Sequence, residues 1–326
     1  MEIPIWLEES VPQVPVELLI EKVNEIFHSF AAGRYDREHP EIHLQLPPLW
    51  AEMIAQLPPE RSWKVLNVGC GTGFESDILM NRLGDRVAKL IAYDPSLEML
   101  TLCRGRLRRF SQVSFCSRIE ETYSQGPFNL LLTNSLLHHL PDIEDTVRSL
   151  LPCLSGNAVW LAGHEPSARF YRNHQCMELF ARYRRFREHA KWLVPRNYVS
   201  KVRLLLRRSP LSATAEVAFK RGLFLKRPSP AVIDKIVDFH VPHSVDDVSD
   251  GRGLDVLTMQ NWFEHDWHLH WSKTYSFLGP YPFAKTPLRW LTMAHKLERQ
   301  FPSDGANVCM VWCRRPSPCS AAPICQ

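Results

Sequence analysis

Long apolar runs are missing from this chain. No stretch of the 326 residues approaches the ~20 uninterrupted apolar positions that a membrane-spanning helix needs. The opening segment MEIPIWLEES has neither the basic block nor the apolar block of a secretory signal, so a cytoplasmic location is expected. The nine cysteines contain no CxxC pair and their number is odd, which argues for reduced thiols rather than a disulfide framework. Cys309 and Cys313 stand four apart and fit no zinc-ligand spacing; most of the cysteines read as small buried hydrophobes, and no metal site is expected. Internal repeats are absent. Hydrophobic content of 45% and charged content of 23% suit a globular chain, long enough for one large α/β domain with an appendage.

Aspartate is absent between Glu165 and Pro230, where 16 Lys or Arg face four Glu; the rest of the chain holds 23 basic against 31 acidic residues. The net charge of +4 therefore conceals a cationic segment on an acidic body, an arrangement that often marks an interaction surface. The densest part, RYRRFREHAKWLVPRNYVSKVRLLLRR from Arg182 to Arg208, reads either as amphipathic helices with solvated Arg heads or as a surface for an acidic partner. That partner would be an anionic small molecule, an acidic carrier protein or an anionic membrane surface. No RNA-binding motif accompanies it, so nucleic acid is not expected.

Periodicity predicts a helix from Val16 to Gly33 with Leu19, Val23, Ile26, Phe27 and Phe30 on its buried face. A second follows Pro47 and Pro48 and buries Leu49, Met53, Ile54 and Leu57. Strands are predicted at 63–68, 89–93, 113–116, 128–133 and 158–162, with helices at about 74–83, 97–110 and 143–154 between them. This alternation implies an α/β fold with a mostly parallel sheet covered on both faces. Strands resume at 268–277 and 307–313, so the basic segment is predicted to be a helical cap inserted after the fifth strand. Trp262, Trp267 and Trp271, with His265, His268 and His270, read as amphipathic packing. The expected divisions are an N-terminal helical segment over the cofactor site (1–60), a core (61–165), the cap (166–260), the completion of the sheet (261–315) and a flexible tail (316–326).

Two glycine signatures are also missing, the GxGxxG of dinucleotide folds and the GxxxxGK[ST] of phosphate loops. The chain has instead Val65-Leu66-Asn67-Val68-Gly69-Cys70-Gly71-Thr72-Gly73, alternate glycines directly after a buried strand. Such a turn lets the backbone approach a ligand closely, at the start of a helix whose N–H groups point outward. Asp94 closes the second strand, 21 residues after Gly73, where a carboxylate accepts hydrogen bonds from ribose hydroxyls.

With these features the sequence resembles the class I, Rossmann-like methyltransferases that use S-adenosylmethionine (SAM). VLNVGCGTG resembles their first motif, AYDPSLEML the second strand and its acidic loop, and FNLLLTNSLLHHLPD the fourth strand and the loop after it. The resemblance implies a doubly wound sheet and SAM as cofactor. It implies that Gly69, Cys70, Gly71 and Gly73 cradle the methionine and ribose portions and that Asp94 holds the ribose, edged by Pro95 and Ser96. Ile119 would lie near the adenine and Asn134 and Ser135 beside the methionine moiety, while Tyr35 in GRYDREH would cover the cofactor. Two positions depart from the family pattern. The acid usual in the first strand is Asn67, which carries no charge for the methionine ammonium, and the acid usual before the adenine contact is Arg118, leaving Glu120 or a backbone group for that role.

Candidates for the chemistry are His138 and His139 past the fourth strand and His164 and Glu165 at the end of the fifth. Arg169, Tyr171 and Arg172 follow and are candidate substrate contacts. So are His240 and His243, which with Asp246, Asp247 and Asp250 have metal-ligand residue types at no standard ligand spacing. The expected activity is methyl transfer to an O, N or C nucleophile of a small or medium-sized metabolite, free or on a carrier. The alternatives are a tRNA or protein methyltransferase docking through the basic cap, and a catalytically silent assembly module; the glycine spacing disfavours a nicotinamide-dependent dehydrogenase.

Overall fold

A computed structural model describes residues 7, 10–39, 41–59, 61–192, 209–241, 253–279 and 286–315. Their core is a seven-stranded sheet made of β1 (Trp63–Val68), β2 (Val87–Tyr93), β3 (Val113–Cys116), β4 (Phe128–Asn134), β5 (Leu154–Pro166), β6 (Trp267–Tyr275) and β7 (Asn307–Arg314). The spatial order is β3-β2-β1-β4-β5-β7-β6. β1 to β5 run parallel, and β7 enters antiparallel between β5 and β6. The strand order reverses beside β1, between β2 and β4, and a crevice at such a switch point is where open α/β sheets bind ligands.

Alternation along each strand explains the two covered faces. Val65, Leu90, Leu130, Leu132, Val159, Leu161 and Val311 point to one face, under α2 (Leu46–Ile54), α3 (Phe74–Leu83) and α4 (Leu97–Leu107). Their neighbours Leu66, Ile91, Leu131, Trp160, Met310 and Trp312 point to the other, under α5 (Ile143–Leu150) and, through Met259 and Phe263, α9 (Val256–Trp262). A strand buried on both sides reads as a continuous apolar run, which is why β1 and β4 stand out in the sequence. β5 is longer than the 158–162 expected, because the ladder to β7 continues past a register shift as far as Pro166.

Two smaller clusters flank the sheet. α1 (Val16–Ala31) packs with α7 (Pro210–Lys220) and α8 (Pro230–Val237), burying Leu19, Val23, Ala215, Ala218, Ile233 and Ile236. α6 (His174–Trp192) packs with α10 (Leu288–Gln300) through Leu179, Tyr183 and Trp290. The segment expected to form one cap thus contributes to three places: α7 and α8 join α1, α6 joins α10, and α9 belongs to the sheet layer, so the boundary expected at 260 falls inside a helix. Residues 193–208 of the basic run and the tail 316–326 lie outside the described residues. Phe30, expected on the buried face of α1, is 45% exposed. The tryptophans behave as packing residues: Trp267 is buried on one face of the sheet and Trp271 half-buried on the other, while His265, His268 and His270 are exposed.

Gly73 shows how closely these layers approach. Its φ is +81°, and a Cβ there would lie 2.7 Å from Cys103 Sγ on α4. Gly73→Ala is expected to cost about 2–3 kcal/mol, from the left-handed backbone and the overpacking together. Gly105→Ala, at an exposed helical position with nothing within 4 Å of the new Cβ, should be neutral or slightly stabilising. Thermal melting of the two variants checks this; equal melting temperatures would contradict the packing described.

Candidate cofactor and active site

The carboxyl ends of β1, β2, β4 and β5 open into a cavity of about 270 Å³. Its floor is the turn after β1. Gly69 and Gly71 have φ of +69° and +49°, and a Cβ on Gly71 would meet nothing within 4 Å, so that backbone borders open space. The next loop ties to this turn through one side chain. Asp94 Oδ2 accepts the Gly71 N–H at 2.8 Å, and Oδ1 accepts the Ser96 N–H at 2.9 Å. Each oxygen keeps a lone pair, and the carboxylate lies on the cavity wall with only 7% exposure. Burial pushes its pKa up to about 6, against the two N–H groups that lower it.

The N-terminal segment closes over this floor. Asp36 Oδ1 accepts the Thr72 hydroxyl at 2.7 Å, and Arg106 donates to both Thr72 and Asp36. This latch holds Tyr35 on the cavity wall, stacked on His39 with ring centroids 4.3 Å apart. Above it α1 presents Glu21, Asn24, Glu25 and His28. At the far wall Asn134 Oδ1 accepts the Trp50 indole N–H at 3.0 Å, and the Ser135 N–H donates to Gly163 O at 2.9 Å. Ser135 and His164 both hold positive φ, 51° and 57°, and such strained non-glycine residues cluster where a site dictates the backbone. His164 Nδ1 lies 2.5 Å from the Tyr275 hydroxyl.

The loop after β4 is shaped by a single carboxylate. Glu165 accepts the backbone N–H groups of Leu136, Leu137 and His138 at 2.9, 3.0 and 3.3 Å, and lies 2.8 Å from His138 Nδ1. Burial raises the Glu165 carboxyl and lowers the His138 imidazole, so His138 is neutral and donates to the carboxylate. His139 donates Nδ1–H to Val237 O at the end of α8 (2.5 Å) and turns toward His28, with ring centroids 5.1 Å apart. Burial holds both of these imidazoles well below the usual histidine range; His139 adds to the lowering of His28, and His138 to that of His139.

Of the residues singled out in the sequence, Tyr35, Gly69, Cys70, Gly71, Asp94, Pro95, Ile119, Asn134, Ser135, His139 and His164 meet on this one cavity. Others are placed differently. Gly73 faces α4 and Cys103. His138 and Glu165 lie behind the wall as the support of the loop. Arg169 and Arg172 are directed to Asp255, at 3.8 and 2.7 Å, and Tyr171 is buried among the residues around α6. His240 is off the wall, its backbone N–H bonded to His138 O at 3.0 Å. His243, Asp246, Asp247 and Asp250 lie outside the described residues. Sequence reasoning missed His28, His39 and Glu75. For His28 a signal existed: Glu21, Asn24, Glu25 and His28 recur at helical spacing opposite Leu19, Val23 and Ile26.

A glycine turn leaving a central strand, an acid closing the next strand and a roofed crevice at the switch point define an α/β protein that binds a nucleoside-bearing cofactor. Residues 42–202 match the family described as Methyltransferase domain (Methyltransf_23). These residues form a methyltransferase domain of the SAM-dependent class, and the cofactor of that domain is SAM. It is 29% identical over 157 residues to a trans-aconitate 2-methyltransferase of Variovorax paradoxus (strain S110), covering 48% of this chain and 56% of that one. It is 25% identical over 142 residues to a malonyl-[acyl-carrier protein] O-methyltransferase of Acetivibrio thermocellus, covering 44% and 49%. The chain thus spans about half the length of the curated relatives it matches. Among solved structures, the plantazolicin methyltransferase BpumL in complex with a monoazolic desmethylPZN analog and SAH aligns over 93% of this chain and 98% of that one, at 11% identity and a TM-score of 0.45. Among the described residues no helix is long and apolar enough to cross a membrane.

Asp94 gives a test of the cofactor geometry. Two charge-assisted hydrogen bonds from ribose hydroxyls disappear in Asp94→Ala, so SAM affinity should fall on the order of a hundredfold or more. The sign of the pH effect follows from the raised pKa. The ionised form accepts the hydroxyls, so below about pH 6 binding must first remove a proton. Affinity should weaken by up to about tenfold per pH unit there, and the Asp94 contribution should level off above about pH 7. Titration calorimetry across pH 5–8 checks both points, and a flat profile in the native protein would contradict the assignment.

Proposed function

We propose that this chain transfers the methyl group of SAM to an oxygen, nitrogen or carbon nucleophile of a small or medium-sized metabolite that is acidic or carried on an acidic carrier protein. The observation that carries this reading is the continuity of the cavity, which runs from the Gly69–Gly71 floor and Asp94 to a roof of His28, His39 and His139. Cofactor and acceptor therefore share one enclosed space, and displacement at the methyl needs them aligned within it.

In this reading Asp94 holds the ribose, Ile119 borders the adenine, Asn134 and Ser135 flank the methionine moiety, and Tyr35 covers it. When bound, SAM supplies an electrophilic methyl on a sulfonium. The depressed basicity of His28 and His139 makes them poor acceptors of a full proton, which suits a nucleophile that is already ionised, such as a carboxylate. Their role is to orient it by hydrogen bonding and to exclude water. Two relatives support an acidic acceptor, since by name one acts on trans-aconitate and the other on a malonyl group borne by an acyl-carrier protein. Exposed Arg182, Arg184 and Arg185 on α6 suit an acidic carrier. A silent assembly module would have no use for the Asp94 cradle.

The test is transfer of labelled methyl from SAM to a panel of di- and tricarboxylic acids and malonyl-loaded carrier protein. Incorporation into at least one class is expected, and alkaline lability of the product would mark an ester. His139→Ala should lower kcat/KM for that acceptor by about tenfold, the worth of one oriented hydrogen bond, with SAM affinity nearly unchanged. Full turnover in this variant would remove His139 from the acceptor site.

A further inference from the structure

The wall of the cavity includes a carboxylate that the reading so far leaves idle. Glu75, the second residue of α3, is 3% exposed and lines the cavity beside Gly69–Thr72. Its Oε1 accepts Asn67 Nδ2–H at 2.5 Å, and the same amide donates to Ser76 Oγ at 2.7 Å. Both amide hydrogens are thus committed to α3, while Asn67 Oδ1 is buried with no partner. An aspartate at 67 would set a second carboxylate at hydrogen-bond distance from Glu75 inside a dry layer, where two like charges cannot both persist. The amide in β1 and the acid on α3 are therefore one arrangement: the negative charge at this end of the cavity sits on Glu75, and Asn67 is the neutral donor that tolerates it.

We propose that Glu75 is the anionic anchor for the amino group of the SAM methionine moiety, in place of the acid that β1 lacks; this rests on the SAM-binding reading above. A buried carboxylate calls for a counter-charge. Among the described residues no Lys, Arg or His pairs with Glu75, and Arg106, whose field reaches it, is engaged by Asp36 and Thr72. A cationic ligand supplies the missing charge. SAM has two positive groups, and the ammonium is the one a resident carboxylate can safely meet. A carboxylate held against the sulfonium would itself be a nucleophile beside the reactive methyl, whereas an ammonium donates hydrogen bonds and does not react. Burial raises the Glu75 pKa to about 7, with Asp94 adding to the rise and Asn67 and Arg106 opposing it, as fits a site waiting for its cation.

The experiment is titration calorimetry of the full chain and its Glu75→Gln variant with SAM, S-adenosylhomocysteine and 5′-methylthioadenosine, which lacks the amino-acid moiety. Gln keeps the shape and an acceptor for Asn67. The expected result is an equal loss of affinity for SAM and S-adenosylhomocysteine, on the order of 10- to 100-fold, with 5′-methylthioadenosine unchanged. Unchanged SAM affinity would overturn the proposal. So would a loss for SAM alone, which would place Glu75 at the sulfonium, or an equal loss for all three ligands, which would make its role structural. Failure of the native chain to bind SAM would overturn the underlying reading instead, a result the variant does not affect.

Discussion

The site depends on the carboxylate of Asp94. By accepting one N–H from the turn after β1 and another from the turn after β2, it fixes two loops that belong to different strands, beyond the last backbone bonds Cys70 N–H to Tyr93 O and Asp94 N–H to Cys116 O. The left-handed glycines make the first loop possible, and Asp94 makes it singular. Ser96 then caps α4 by accepting the Met99 N–H, so the same short segment sets the floor of the cavity and the start of a helix. Burial makes this costly, which is visible in the raised pKa, and two backbone donors offset part of the cost.

Glu165 does for the opposite wall what Asp94 does for the floor. It gathers three successive N–H groups of the loop after β4 together with the His138 ring. His138 and Glu165 serve the site from behind, and His139, the next residue along, turns to face it. The roof follows from α1 resting on α7 and α8, since α8 also provides the Val237 carbonyl that orients His139. Segments more than 200 residues apart in sequence, α1 and α8, thus pack together to support the roof of one cavity.

The parts of this arrangement that were legible in the sequence are local ones. β1 and β3 carry the expected bounds because buried parallel strands are short apolar runs ended by turn residues. The glycine turn and Asp94 are recognisable because their chemistry is tied to fixed places at strand ends. What escaped is tertiary. Nothing in the sequence distinguishes Gly73, which admits Cys103, from Gly71, which borders the cavity. Arg169 and Arg172 follow β5 and look available, yet Asp255, more than 80 residues on, takes both. Glu75 reads as an ordinary first-turn acid until Asn67 is seen to hold it. The departure at Asn67 was visible as a missing charge; where the charge had gone was not.

The central claim is that the cavity is a preformed SAM pocket. Calorimetric titration of the native chain with SAM and with S-adenosylhomocysteine at moderate salt tests it most directly. The account predicts one site with micromolar affinity for each ligand. A folded chain that binds neither would contradict it, and the glycine turn, Asp94 and the roofed crevice would then be the remnant of a fold that no longer holds its cofactor.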